Sequence, residues 1–452
     1  MRFRNVLGVA AVAALTLVGT TGVVPAASQP TETVTCGQNV NHSLVVANNI
    51  GPCTGDGLVI TTSGITVDLG GHTVTGNNRN NRTPAEQVGV HLMNASNVTV
   101  RNGTIANFDA GVAVEGGGSN TIQSLYVHDN INHSATTGTF NQCNFGDGIV
   151  LDSSSNNRVT LNRAVYNGPF AGITLLDNSD DNVVTRNQAV NQTVSNVNPA
   201  FVSPDNPEGL GPCGPFTEAG TVGRPHQDIG IRIEGPGADR NRVDSNQVVG
   251  NQLDGITIHG YICHPPGGRP SQPNNGGNVI SNNSVQRNGF AAPNETQDGI
   301  AILSQGPATV VCVAFGNSIL GNISVGNARH GIFLGGRGSH DNNVSNNVVR
   351  NNGFGCTGPT FSPSGQPSCG PGDGIFVTGP GNATSSCGPG TLVRPCPGAI
   401  NNRFVGNTGS GNAEHDGHDA NPNCDNNLWQ GNRFGTVNQA CVAANGGTGT
   451  VR

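Results

Sequence analysis

The sequence predicts an all-β solenoid, a stack of short parallel strands joined by tight corners. The first observation behind this is a repeat. The segment GIRIEG at Gly230 returns 25 residues later as GITIHG at Gly255, and the spacer NRVDSNQVVGNQ carries its own apolar alternation around Val243 and Val248. Short strands with tight corners in about 22–25 residues make one coil of a solenoid. The second observation is composition: aromatics are 4% and charged residues 11%, while Gly reaches 68. A compact core of large side chains is out of reach, but a column of Ile, Val and Leu stacked coil on coil needs few of them. A disordered Gly- and Asn-rich chain is the alternative, and the regular Ile/Val alternation argues against it.

The unit recurs with anchor glycines at Gly89, Gly111, Gly148, Gly172, Gly230, Gly255, Gly299, Gly331, Gly374 and Gly417. The separations of 24 and 25 residues between Gly148 and Gly172 and between Gly230 and Gly255 define the bare coil. Longer separations mark loops inserted at corners. These Pro-, Gly-, Asn- and Ser-rich segments fall near 131–146, 191–227, 260–277, 289–297, 304–316, 353–372 and 379–399. About ten coils are expected in one elongated domain over 28–452, whose N-terminal cap occupies 36–75.

Met1 to Ala27 has the shape of a secretory signal peptide. Arg2 and Arg4 precede an apolar run from Val6 to Val18, and Pro25-Ala26-Ala27 supplies small residues for cleavage. The run is short for a membrane span, so an exported protein without a span is expected. The 12 cysteines all follow this segment, an even number that reads as disulfides. Chain order suggests Cys36–Cys53 at the N-terminal cap, Cys356–Cys369 and Cys387–Cys396 within inserted loops, and Cys424–Cys441 at the C-terminal cap. Cys263 and Cys312 follow the anchor strands of adjacent coils, which leaves Cys143 with Cys213. None has the CxxC spacing of a zinc site.

Net charge is −7 and the chain contains no lysine. No basic stripe suits nucleic acid, and chemistry that needs a catalytic lysine is excluded. A monomer is expected.

Two polar patterns recur along the chain. Asn residues such as Asn246, Asn283 and Asn347 sit at corners, where Asn tolerates the left-handed backbone and where stacked amides can form ladders. The sequons at Asn97 and Asn322 are expected by chance in so Asn-rich a chain. An Asp precedes the anchor glycine at Asp147, Asp254, Asp298, Asp373 and Asp416. A catalytic acid is needed once or twice and a turn device in every coil, so this column reads as structural. Calcium is the one cofactor it could hold.

Chemistry is sought on the outward side of the anchor strands. Side chains alternate along a strand, so in G-I-x-I-z positions x and z face away from the core. Column x reads Ala113, Val150, Thr174, Arg232, Thr257, Ala301, Phe333 and Phe376; column z includes Glu115, Asp152, Leu176, Glu234, His259 and Leu303. With coils about 4.8 Å apart, Glu234 neighbours His259 across one step and Arg232 lies beside Glu234. Glu115 and Asp152 form a second pair, and Asp152 lies about 9.6 Å from Glu234, two steps away. That is close to the carboxyl separation of inverting glycosidases. Arg232, Glu234, His259 and Asp152 are therefore the candidate catalytic residues for a glycan, and Glu115, Thr257, Phe333 and Phe376 the candidate binding residues. A uronate lyase needs a base and a cation; a hydrolase needs a carboxyl pair of separated pKa. The ordinary alternative is a solvated sheet face carrying paired charges.

The run Glu414-His415-Asp416-Gly417-His418-Asp419 concentrates possible metal ligands. With Gly417 as anchor, His418 points inward and Asp419 outward, so the set diverges and no metal site is expected. Trp429 is expected to pack in the C-terminal cap.

Taken together, the coils resemble the right-handed parallel β-helix proteins of the pectate-lyase-like superfamily, and their repeats resemble those of NosD-type periplasmic proteins. The segment from Cys36 to Gly76 is similar to the N-terminal cap of that subgroup, and NPNCDNNLWQGNRFGTVNQACV is similar to the end of secreted actinobacterial members. The resemblance covers roughly 36–441. It implies a single right-handed helix and is weak for activity, because such helices host lyases, hydrolases, epimerases and non-catalytic binders. Two functions follow: a secreted enzyme acting on an extracellular polysaccharide, or a non-catalytic surface-binding protein.

Overall fold

A computed structural model describes residues 29–77, 87–130, 147–168, 171–191, 229–235, 237–251, 253–260, 275–289, 297–304, 314–335, 339–355, 372–380 and 398–452. Within them every strand pairing is parallel. The strands form three stacks, one for each side of a coil. In the coil that begins at Gly230 these are Ile229–Glu234, Arg242–Asp244 and Gln247–Val249. Each pairs in register with the next coil: Ile231 opposite Ile256, Val243 opposite Ile280, Val248 opposite Val285. These residues are fully buried in one apolar column running from Val34 to Val442. The N-terminal segment already belongs to the stack, since Leu58–Ile60 pairs with Val90–Leu92. The proposed signal segment, most of the inserted loops, and all cysteines between Cys143 and Cys396 lie outside the described residues.

The anchor glycine is explained by close approach. A Cβ on Gly230 would sit 2.3 Å from Val248 Cγ1 and 2.6 Å from the carbonyl of Gly255. No side chain fits between coils there.

The corners are held by Asn ladders, as the sequence suggests. In the ladder Asn162, Asn187, Asn246, Asn283, Asn322, Asn347, Asn407 and Asn432, each backbone N–H donates to the next Asn Oδ1 at 2.8–3.0 Å. Each Nδ2 donates to the same oxygen at 2.9–3.1 Å. It also reaches back to a carbonyl of the preceding coil, as Asn246 does to Val184 at 2.9 Å. One Asn thus ties three coils. Parallel ladders run through Asn241, Asn278 and Asn317 and through Asn251, Asn288 and Asn327. The residue before a ladder Asn takes the left-handed conformation: Ser245, Asn282, Gly321, Asn346 and Gly406 all have φ between 55° and 64°. In an Asn-Asn pair the first residue therefore turns the chain and the second satisfies it. Asn322, the asparagine of one sequon, is buried within its ladder.

The Asp column also bonds the backbone. Asp147 accepts from Ala171 N–H at 2.9 Å, Asp254 from Asp298 N–H at 2.7 Å and Asp298 from His330 N–H at 3.0 Å. Asp416 departs from the column. Gly417 pairs with Ile375, not with Gly374, so Asp416 occupies the place of an anchor glycine. Its Oδ1 accepts from both N–H and Nδ2 of Asn412, ending the third ladder, and its Oδ2 accepts from Gly435 and Thr436.

The ends are closed by disulfides Cys36–Cys53 and Cys424–Cys441. Trp429 packs as expected, stacked on Phe404 at 4.0 Å between ring centres with Nε1 donating to Asp419 at 2.9 Å. Among the described residues no helix is long and apolar enough to cross a membrane.

The ladder account separates two adjacent residues. Asn347→Ala strands the N–H of Asn322 and the carbonyl of Ile319, and should cost about 2 kcal/mol or more. Asn346→Gly keeps the exposed left-handed turn and should change stability by less than about 0.5 kcal/mol. Denaturant midpoints of the two variants measure this; equal losses would contradict the division of labour.

Candidate functional site

Strand register brings the candidate trio together. Glu234 lies opposite His259 and Arg232 opposite Thr257 on adjacent anchor strands. The Glu234 carboxylate pairs with the guanidinium of Arg232 on its own strand, and its other oxygen is 3.8 Å from His259 Nδ1. Burial raises the Glu234 carboxyl above its ordinary value, against the opposing charge and hydrogen bond of Arg232. Asp147 stands near the same guanidinium and carboxylate. Burial lifts its carboxyl to about 7, despite hydrogen bonds from Thr174 Oγ1 and the Ala171 N–H and the charge of Arg232. It was assigned above only to the corner column, and its second role is visible only in three dimensions.

The outward face is not the open surface the alternation implies. Arg232 is 3% exposed, His259 2% and Thr257 0%. Ala113 and Val150 form one apolar cluster separate from the core, and Ala301, Leu303 and Phe333 form another. Column x is thus a second packed layer. Its content, largely Ala, Val and Phe, is the sequence signal for this. Of the trio, Glu234 retains the largest opening to solvent, with 12% of its side chain exposed.

Glu115 and Asp152 stack in register one coil apart, and Leu176 stands between Asp152 and Glu234. Both acids are half-buried. Burial, partly offset by Ser153 and reinforced by the Glu115 charge, raises Asp152. Beside Glu115 lies His91, at position x of the coil begun by Gly89. Extending the column one coil further back would have found it. Its Nδ1 is 3.0 Å from Asp56 and its Nε2 3.3 Å from Glu115.

Towards the C-terminal end the face becomes aromatic. Phe333 and Phe376 stack 5.8 Å apart, His330 stacks on Phe376 at 4.5 Å, and Arg329 lies over Phe333 while bonding Asp298 with two nitrogens. The one-residue shift at Gly417 reverses the expected directions of the next two side chains. His418 sits opposite Phe376 on the outward face, and Asp419 opposite Val377 inside. Asp419 is fully buried and accepts from Trp429 and Asn421. His418 instead meets His415, Glu414 and Asp373, whose ligand atoms all lie within 4.8 Å of one another. The divergence expected of this run is therefore corrected for His418.

His91 gives a pH dependence of known sign. Burial disfavours its cation, but the hydrogen bonds and charges of Asp56 and Glu115 outweigh this and lift it from 6.5 to about 9. The stabilisation is full below about pH 6.5 and is lost as pH rises through about 9. The melting-temperature gap between wild type and His91→Gln should therefore be widest below pH 6.5 and close above about pH 9. A gap constant from pH 6 to 10 would contradict the pairing.

Residues 34–198 match the family described as a right-handed beta helix region. No curated protein matches the chain. Among solved structures, the Dettilon tailspike protein is 16% identical, with 91% of this chain and 60% of that chain covered and a TM-score of 0.48. The periplasmic alginate epimerase AlgG is 13% identical over 82% of this chain and 72% of its own, at a TM-score of 0.40. The catalytic domain of an alpha-1,3-glucanase in complex with nigerose is 12% identical over 90% and 63%, also at 0.40. This chain thus spans about 60% of the length of the tailspike. The parallel stacking and the matched family description agree that the chain is a right-handed parallel β-helix.

Proposed function

We propose that the protein acts on an extracellular polysaccharide laid along the anchor-strand face, with Glu234 as general acid or base in lyase or glycoside hydrolase chemistry. One observation carries this reading. Glu234, its carboxyl raised by burial, lies against Arg232 and beside His259, with Asp147 titrating near neutrality in the same pocket of charge. Acid–base catalysis near pH 7 uses carboxyl groups tuned in this way. A uronate substrate would place its carboxylate on Arg232 and its labile proton at Glu234 or His259. A neutral glycan would use Glu234 as acid. Glu115, Asp152, Phe333 and Phe376 share the same face and would contact neighbouring sugars, whereas Thr257 is fully buried and bonds Asp254 beneath that face. The face is linear and periodic, as a glycan chain is. Disulfides at both ends suit an oxidising, extracellular location.

A second reading, a non-catalytic glycan-binding or surface protein, is favoured by the burial of Arg232 and His259 and their pairing with Glu234.

A panel of uronic-acid and neutral polysaccharides, followed by absorbance at 235 nm for unsaturated products and by reducing ends, tests both. Turnover on one polymer should fall by about 10²–10⁴ in Glu234→Gln, with His259→Ala similar. Binding without turnover would select the second reading. Full turnover in both variants would place the chemistry elsewhere.

A further inference from the structure

We propose that Asp373, Glu414, His415 and His418 form a binding site for a divalent transition-metal ion of the zinc class, at the C-terminal end of the anchor face. Two imidazoles and two carboxylates are the donor set such ions prefer, and nitrogen ligands disfavour calcium. The geometry is nearly assembled. His415 Nδ1 and His418 Nδ1 lie 3.2 and 3.3 Å from one oxygen of Asp373. Metal bonds of about 2.0–2.2 Å put tetrahedral ligands roughly 3.3–3.5 Å apart. The four ligand atoms span at most 4.8 Å, so a small side-chain adjustment closes the set. The two imidazole rings stand nearly perpendicular, at 81° with centres 5.0 Å apart.

Hydrogen bonding among these groups does not account for the arrangement. Asp373 is fully buried, and Oδ1 takes every hydrogen bond its carboxylate receives, including the His415 backbone N–H at 3.0 Å. Oδ2 is buried without a hydrogen-bond partner among the described residues. The nearest nitrogen to it, His330 Nδ1 at 3.4 Å, accepts the Asp373 N–H at 2.9 Å and so has no proton to give. A buried anionic carboxylate left in this way costs free energy, and a cation held by Asp373 and the two imidazoles offsets its charge. The backbone N–H of His415 orients the carboxylate, as outer-shell bonds do in metal sites.

The site is open on one side. Glu414 is exposed, and His415 and His418 are half-buried. His418 also meets Phe376 edge-on at 4.8 Å, so a bound ion would face the aromatic strip. The inference is independent of the chemistry proposed at Glu234, whose coil lies well before this one in the stack.

Zn²⁺ alone is the probe, titrated calorimetrically into the full-length protein after chelation and dialysis, with Ca²⁺ as the comparison ion. The expected result is one equivalent of Zn²⁺ bound, with affinity reduced at least tenfold in His418→Ala and in His415→Ala, several-fold in Glu414→Gln, and no competition by excess Ca²⁺. Should His415→Ala fail to fold, His418→Ala and the exposed Glu414→Gln carry the test, each checked by unchanged circular dichroism without metal. No uptake of Zn²⁺, or uptake that survives His418→Ala and Glu414→Gln undiminished, overturns the proposal.

Discussion

The fold depends on one repeated interaction, the hydrogen bonds by which a buried Asn side chain satisfies the corner of the neighbouring coil. A solenoid turns sharply three times per coil, and each turn would strand backbone groups inside the stack. Asn answers this with one residue, because its amide carries an acceptor for the N–H below and donors for the carbonyl and amide on either side. In Asn283, Oδ1 takes the N–H and Nδ2 of Asn246, while its own Nδ2 reaches Val243 O and Asn322 Oδ1. Because the ladder holds the corner, the chain between corners can be lengthened without disturbing the register. Sequence separations across one ladder step vary from 25 to 60 residues, with bond lengths of 2.8–3.0 Å throughout. The ladders also need an end. Asp416 supplies it for one of them by accepting from Asn412 and turning its other oxygen to the cap.

Fixed register decides which outward side chains meet. Glu234 and His259 are neighbours because both occupy position z of consecutive coils, and the apolar members of column x pack around them as a second layer. Charged groups in such a layer are tolerated only when paired. Arg232 and Glu234 are paired, and the residual burial is what raises the carboxyls of Glu234 and Asp147. The same constraint acts at the other end of the face, where Asp373 is buried among imidazoles and one of its oxygens has no hydrogen-bond partner among the described residues.

Much of this was legible in the sequence. The repeat at Gly230 and Gly255 gave the stacks, the corner Asn and Asp residues gave their roles, and position within the repeat gave the neighbours of Glu234 and Glu115. What was not legible has physical causes. Burial of Arg232 and His259 depends on what lies over the outward face, which strand alternation does not encode; the apolar members of column x were the available sign. The shift at Gly417 was hidden because Asp-Gly recurs there as in true anchors, while the pairing is set by Asp416 at the end of its ladder. That slip of one residue exchanged the directions of His418 and Asp419, and with them the prospects of a metal site. Asp147 was read for its bond to the backbone alone, since its proximity to Arg232 and Glu234 crosses coils separated by an insertion.

Native-state hydrogen exchange at the corners tests the ladder most directly. The backbone amides of Asn246, Asn283 and Asn322 lie in turns, yet each donates to a buried side-chain oxygen of the next coil. They should exchange as slowly as the flanking strand amides of Val243, Ile280 and Ile319. Exchange at the rate of exposed turns, with the strands still protected, would show that the corners are not held by the ladder.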